Sequence, residues 1–117
     1  LGDYNKVFEM RKAVYNGRKE FLDENNPDTL TSLSNLAISY YHLGDYNKAL
    51  KTENKVYNAR KEVLGERDLD TLTSLSNLAI FYSNLGDHNK ALEMENRVYN
   101  SRKQILGERF RYVNIAF

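Results

Sequence analysis

The side chains of this sequence that could do chemistry are few and poorly spaced for it. The two histidines, His42 and His88, stand in neither a metal-ligand spacing nor a triad arrangement. Glu66, Asp68 and Asp70 make a local carboxylate cluster. Helix capping and loop solvation account for it, and no cleft-forming element accompanies it. Nine tyrosines raise the prospect of a stacking platform for single-stranded nucleic acid. Yet Tyr4 and Tyr46, then Tyr15, Tyr57 and Tyr99, then Tyr40 and Tyr82, recur at one fixed interval on apolar faces, as packing residues do. Only Tyr41 and Tyr112 fall outside that pattern. With no cysteine, disulfides and thiolate metal sites are excluded. The expectation is a protein that is not an enzyme, with no catalytic residue, no cofactor and no metal.

The elements that would have to position any site begin with the bulk properties. The chain has 117 residues, 41% of them hydrophobic, and 17 Lys+Arg against 16 Asp+Glu, a formal charge of +1. That suits one domain of ordinary composition, and a balanced surface gives no drive toward nucleic acid or anionic membrane. The basic pairs Arg60-Lys61 and Arg102-Lys103 alternate with acidic residues and form no stripe, so no nucleic-acid partner is expected. The longest apolar run, Leu78 to Tyr82, is far too short to span a bilayer, so no membrane partner is expected either. The first residues do not resemble a signal peptide; together with the lack of cysteine this points to the cytoplasm.

An internal period dominates the chain. Leu1-Gly2-Asp3 returns as Leu43-Gly44-Asp45 and as Leu85-Gly86-Asp87, a spacing of 42 residues both times. Residues 1–42 match 43–84 at 26 positions, and 43–67 match 85–109 at 18. Such self-similarity is the mark of a stacked array, in which recurring residues are architectural. Each unit holds two helical patterns. The shorter, type A, has its apolar face at Leu30, Leu33, Leu36, Ala37, Tyr40 and Leu43, and again at Leu72, Leu75, Leu78, Ala79, Tyr82 and Leu85. Asp28 and Asp70 are expected to be its N-caps, and Gly44 and Gly86 its left-handed ends. The longer, type B, carries Tyr46, Ala49, Leu50, Val56, Tyr57, Val63 and Leu64 and their copies, with Gly65 and Gly107 as stops. Five helices follow, near 3–22, 28–43, 45–64, 70–85 and 87–106, in the order B-A-B-A-B. Pro27 is read as part of a B-to-A loop. A two-residue A-to-B turn makes neighbours antiparallel, and a single hairpin cannot bury both faces, so hairpins stack into an all-α solenoid.

The pattern Leu33-x-x-Leu36-Ala37-x-x-Tyr40-x-x-x-Gly44-x-Tyr46-x-x-Ala49 resembles the tetratricopeptide repeat. The segment from Arg60 to Gly65, followed by Asp70-Thr71-Leu72-x-x-Leu75-x-Asn77-Leu78-Ala79, is similar to the 42-residue variety found in kinesin light chains. The resemblance covers residues 1–109. It implies a right-handed superhelix of antiparallel helix pairs whose A helices line a concave groove that holds peptides or protein segments. Asn35 and Asn77 match the groove asparagine of the family, whose amide can both donate to and accept from a ligand backbone; the competing reading is that they bond the neighbouring helix. Where the family often has an aromatic in mid-helix B, this chain has Arg11, Glu53 and Glu95. Those charges are expected to reach solvent or to pair with one another, because an unpaired buried charge is costly.

Helical geometry puts Thr31, Ser34, Asn35, Ile38, Tyr41 and His42 on the face of the first A helix away from its core stripe, and Thr73, Ser76, Asn77, Ile80 and Asn84 on the second. From Thr29 to Gly44, and again from Thr71 to Gly86, there is no Asp, Glu, Lys or Arg. The expected groove is therefore neutral and unsuited to clamping a carboxylate or phosphate. The expected partner is a protein or peptide segment that is not strongly anionic. Because the chain begins with one B helix and closes with another, both ends are expected to be under-covered, which favours head-to-tail self-association. This defines a partial repeat 1–42, a repeat 43–84, a partial repeat 85–109, and a divergent tail 110–117 that is expected to fold back over the last B helix or leave it bare. The tail Phe110-Arg111-Tyr112-Val113-Asn114-Ile115-Ala116-Phe117 has a particular reading. The previous unit has Asp68 to Leu75 at these positions; written as GAT TTA GAT ACG TTA ACA TCG CTT TC and read two bases later, those codons spell the tail residue for residue. We expect an out-of-frame reading of an ordinary repeat. Sequencing of the coding DNA should show codons that realign to the repeat in another frame, and codons that cannot be realigned remove the idea.

Overall fold

The computed structural model describes residues 2–116, with side chains as far as Arg111. It contains α1 (Tyr4–Phe21), α2 (Pro27–His42), α3 (Tyr46–Leu64), α4 (Leu69–Asn84) and α5 (His88–Ala116). No strand occurs among the described residues. The odd-numbered helices are type B and the even-numbered ones type A, as the period requires.

Local chemistry explains most of the boundaries. Asp3, Asp45 and Asp87 accept hydrogen bonds from the amides of Lys6, Lys48 and Lys90 at 3.1 to 3.2 Å, so each B helix starts on an aspartate cap. The A-to-B turn is a Schellman motif. The amide of Asp45 donates to the Tyr40 carbonyl at 2.9 Å and that of Gly44 to Tyr41 at 3.0 Å; Asp87 and Gly86 repeat this on Tyr82 and Ser83. The motif needs a left-handed residue, and Gly44 and Gly86 sit at φ +82° and +86°.

Three expectations are corrected. The A helices are capped two residues earlier than Asp28 and Asp70: Asn26 and Asp68 each accept from the amide two positions on, at 2.9 Å. Asp28 and Asp70 are left in the first turn, where an acidic side chain suits the positive end of the helix dipole. Pro27 is the first residue of α2, a place where its missing donor is not needed. Most consequentially, α5 passes through Gly107 and continues to Ala116. After Gly65 the chain meets the cap Asp68, whereas Glu108 to Ala116 contain no aspartate, proline or glycine to turn it, and a glycine inside a helix costs only about 1 kcal/mol. The extension is joined to the α3–α4 loop by Arg67 and Glu108 at 3.0 Å. Phe110 therefore does not fold back over α5 and is exposed; Phe117 and the Val113 side chain lie outside the described residues.

Each A helix is sandwiched between two B helices. Leu30, Leu33 and Leu36 of α2 meet Tyr15 of α1 and Val56 of α3. Leu72, Leu75 and Leu78 of α4 meet Tyr57 of α3 and Val98 of α5. A third cluster of Ala37, Ala49 and Phe81 joins α2, α3 and α4, and its alanines let the helices approach closely. A fully buried leucine such as Leu72 or Leu78 contributes roughly 1.5–3 kcal/mol. Replacing Gly44 with valine should destabilise the fold by about 1–2 kcal/mol, because a β-branched residue is strained at positive φ. Thermal unfolding checks this, and an unchanged melting temperature would count against the cap.

Candidate functional site

The exposed surface of the A helices starts from the residues that the period repeats. Thr31, Asn35 and His42 of α2 and Thr73, Ile80 and Asn84 of α4 are exposed. Several of them already hold local contacts. The Asn84 amide donates to the Tyr41 hydroxyl at 3.4 Å and to the Ile80 carbonyl at 2.9 Å. Tyr41 stacks on Phe81 at 5.3 Å, a contact between the two A helices. His42 stacks on Tyr4 at 4.9 Å, and Thr73 donates to the Leu69 carbonyl. Ile38 is half-buried beside Ala37, Ala49 and Phe81. Ser76 and Ile80 lie on the other flank of α4, where it meets α5.

Ser34 and Asn77 are placed differently. Ser34 is buried, and its hydroxyl lies 3.1 and 3.0 Å from the two carboxylate oxygens of Glu53. The Asn77 amide, half-buried, donates to the same carboxylate at 3.3 Å. So Asn77 bonds the neighbouring helix, while Asn35 remains exposed and its carbonyl accepts from Arg11 at 3.2 Å. Glu53 is wholly buried. The expectation that the mid-helix charges reach solvent or pair with each other holds for the exposed Glu95 and fails for Glu53. Its carboxylate is held by side chains of both A helices, and Arg60, seven residues along the same helix, supplies favourable charge. Burial nevertheless dominates and raises its pKa above the ordinary glutamate value; the hydrogen bonds from Ser34, Asn77 and Ser74 and the Arg60 charge oppose this without cancelling it.

Arginines provide the recurring link that residue-type reasoning passed over. Arg18 of α1 donates to the Asp28 carbonyl at 3.1 Å and to Ser32 Oγ at 2.7 Å. Arg60 of α3, one period later, donates to the Asp70 carbonyl at 3.2 Å and to Ser74 Oγ at 2.9 Å, with Thr31 Oγ1 at 3.5 Å. α1 and α3 thus each fasten the A helix that follows near its N-terminal end. The signal was present as arginine at 18, 60 and 102 with serine at 32 and 74. Residue types alone show only surface charge there, because the partner is a backbone carbonyl, which no sequence displays. Arg11 makes a variant contact, donating to Ser39 Oγ at 2.9 Å; α4 has Phe81 at that place.

The Glu53 cluster gives a pH prediction. A carboxyl whose folded pKa is raised holds its proton more tightly in the folded state. Its contribution is fully present below the unfolded value and is lost as pH rises through the folded value. Glu53→Gln should therefore flatten stability against pH above the ordinary glutamate range. Glu53→Ala should cost about 2 kcal/mol or more, because it leaves a cavity and orphans Ser34 and Asn77. Denaturant titrations across pH check both; parallel profiles for wild type and Glu53→Gln would show that this carboxyl is not the buried titrating group.

The tetratricopeptide repeat model matches residues 1–62 and 28–104. No curated protein sequence matches significantly. Among solved structures, the nearly identical TPR-like repeats of a protein assigned to the kinesin light chains of Podosopora anserina superpose with a TM-score of 0.83 at 22% identity. A single-substitution variant of that protein superposes at 0.82, also at 22% identity. Both alignments cover 89% of this chain and 49% of the other, so this chain spans about half the length of those relatives. At that identity the likeness speaks for the fold, an all-α helical-repeat solenoid. The family match rests on the repeat pattern itself and covers most of the residues: the chain belongs to the tetratricopeptide repeat family.

Proposed function

We propose that this chain is a non-catalytic interaction scaffold that binds an extended, uncharged or weakly charged protein segment along the exposed surface of α2 and α4. Tetratricopeptide repeats generally mediate protein–protein interaction. The observation that carries the finer reading is the chemistry of the A helices: no Asp, Glu, Lys or Arg lies between Thr29 and Gly44 or between Thr71 and Gly86. Thr31, Asn35 and Asn84, all exposed, can hydrogen-bond a peptide backbone. A charge-selective clamp would need cations on this surface.

Self-association is the second reading, favoured by apolar residues exposed on both end helices. Val7, Met10, Val14 and Phe21 stand out on α1, and Leu92, Tyr99, Leu106 and Phe110 on α5. One experiment separates the readings. The purified chain is sedimented over a concentration series, alone and with a library of immobilisable peptides that are neutral, acidic or phosphorylated. The scaffold reading expects neutral peptides to bind the monomer, with about tenfold loss in Thr31→Glu combined with Asn35→Ala. Binding confined to acidic or phosphorylated peptides overturns it. Growth of mass with concentration and no peptide selected favours the array.

A further inference from the structure

Two successive B-helix junctions hold equivalent residues and use them differently. At the first, Glu24 of the α1–α2 loop faces Lys55 of α3 at 3.8 Å. One period on, the equivalent residues are Glu66 and Arg97. Glu66 lies 3.4 Å from Lys61 instead. The Arg97 guanidinium donates to the Tyr57 hydroxyl at 2.9 Å, with its Cζ 6.0 Å from the centre of that ring. Among the described residues no carboxylate lies within ion-pair distance of Arg97. Tyr57 is buried among Leu72, Leu75 and Val98, so the hydroxyl that holds the guanidinium is itself fixed. Around this pair opens a cavity of about 220 Å³ lined by Tyr57, Glu66, Leu75, Arg97, Asn100 and Ser101. Two of the six differ in kind from the preceding period, where Lys55 and Ala59 stand in place of Arg97 and Ser101. The cavity belongs to the interior of the array: Lys55 and Asn58 stay exposed although α4 and α5 follow them, so the openness at Arg97 and Asn100 comes with the repeat and not with the position of α5.

We propose that this cavity between α3 and α5 is a binding site for a single carboxylate group. The proposal goes beyond the scaffold reading and shares no residue with the exposed surface of α2 and α4. Its chemistry follows from the bonds already made. The Tyr57 oxygen accepts from Arg97, so its own proton is free to donate. Arg97 spends one N–H on that bond and keeps others in a planar fork, the spacing that matches the two oxygens of a carboxylate. Asn100 and Ser101 add an amide and a hydroxyl to the wall. These groups donate, so the occupant is an acceptor. Glu66 sets the charge. Its carboxylate is paired with Lys61, which leaves Arg97 able to hold one negative charge, whereas a phosphate dianion meets stronger repulsion from Glu66. At about 220 Å³ the cavity is smaller than the roughly 300–1,000 Å³ of sites for drug-sized ligands. The carboxylate therefore comes from a small free acid or from the end of an aspartate or glutamate side chain.

The test uses the full chain, isotopically labelled for NMR, at constant ionic strength held with chloride. Three probes are titrated: acetate, inorganic phosphate, and a terminally blocked tripeptide with a central glutamate. The backbone amides of Asn100 and Ser101 report occupancy. Saturable carboxylate binding in the millimolar range is expected, tighter than phosphate. Arg97→Lys should weaken it about tenfold, because an ammonium keeps the charge and loses the fork. Ser101→Ala should weaken it about threefold through one lost hydrogen bond. Both changes restore the residue types of Lys55 and Ala59 one period earlier, so the melting temperature should not move. Glu66→Gln should strengthen binding about threefold by removing a like charge, a gain that a merely structural role does not produce. Acetate bound with the tripeptide excluded supports the site with a free acid as occupant; both bound supports it with an acidic side chain. No saturation by either carboxylate, a preference for phosphate, or equal binding by Arg97→Lys overturns the proposal. A peptide seated along α2 and α4 shifts the amides of Thr31 and Asn35 instead, so failure of the groove reading and failure of this one are separately visible.

Discussion

The constraint on which this molecule depends is that a type A helix is apolar on two flanks and must be covered on both. The leucines of α2 face α1 and α3 together, and those of α4 face α3 and α5. No single helix hairpin can meet that demand, so the unit of stability is a B-A-B sandwich, and extension of the array is the way the demand is met. The arginine contacts to Asp28 and Asp70 sit on top of this burial. They are few, but they are directional, and they fix the register in which one unit follows the next. A hydrophobic ladder alone tolerates sliding; a guanidinium held between a first-turn carbonyl and a serine hydroxyl does not.

Glu53 shows how such an array absorbs a departure from its own pattern. A wholly buried carboxyl would be severely destabilising if bare. Here Ser34 of one A helix and Asn77 of the next converge on it, with Arg60 seven residues along the same helix. The group becomes a three-helix junction of α2, α3 and α4, and its raised pKa records the burial that remains uncompensated. At the same position α1 has Arg11, which reaches Ser39, and α5 has the exposed Glu95. One repeat position thus takes three solutions, decided by what the neighbouring helix offers. The same burial occupies the polar groups of Ser34 and Asn77, while Thr31, Asn35, Ile80 and Asn84 stay exposed.

Most of the architecture could be read from the chain before any coordinates. The 42-residue period, the two helix types, their order, the glycine ends at 44, 65 and 86 and the aspartate starts of the B helices are all local facts. They depend on backbone sterics, capping chemistry and apolar spacing within a few residues, so the sequence displays them directly. The absence of formal charge along the A helices is likewise a property of the residues themselves. What only the tertiary structure decided is the fate of groups whose partners lie on another helix or on the backbone. Asn35 and Asn77 are identical in type and in repeat position, yet only Asn77 has a buried glutamate opposite it. Tyr57 and Tyr99 are likewise equivalent, yet one is covered by α4 and the other is open. Gly65 ends its helix and Gly107 does not, because Asp68 waits to cap the next helix after the first and nothing does after the second. In each pair the residue is the same and the neighbour differs, and a neighbour brought near by folding is the one thing that a local reading of sequence cannot contain.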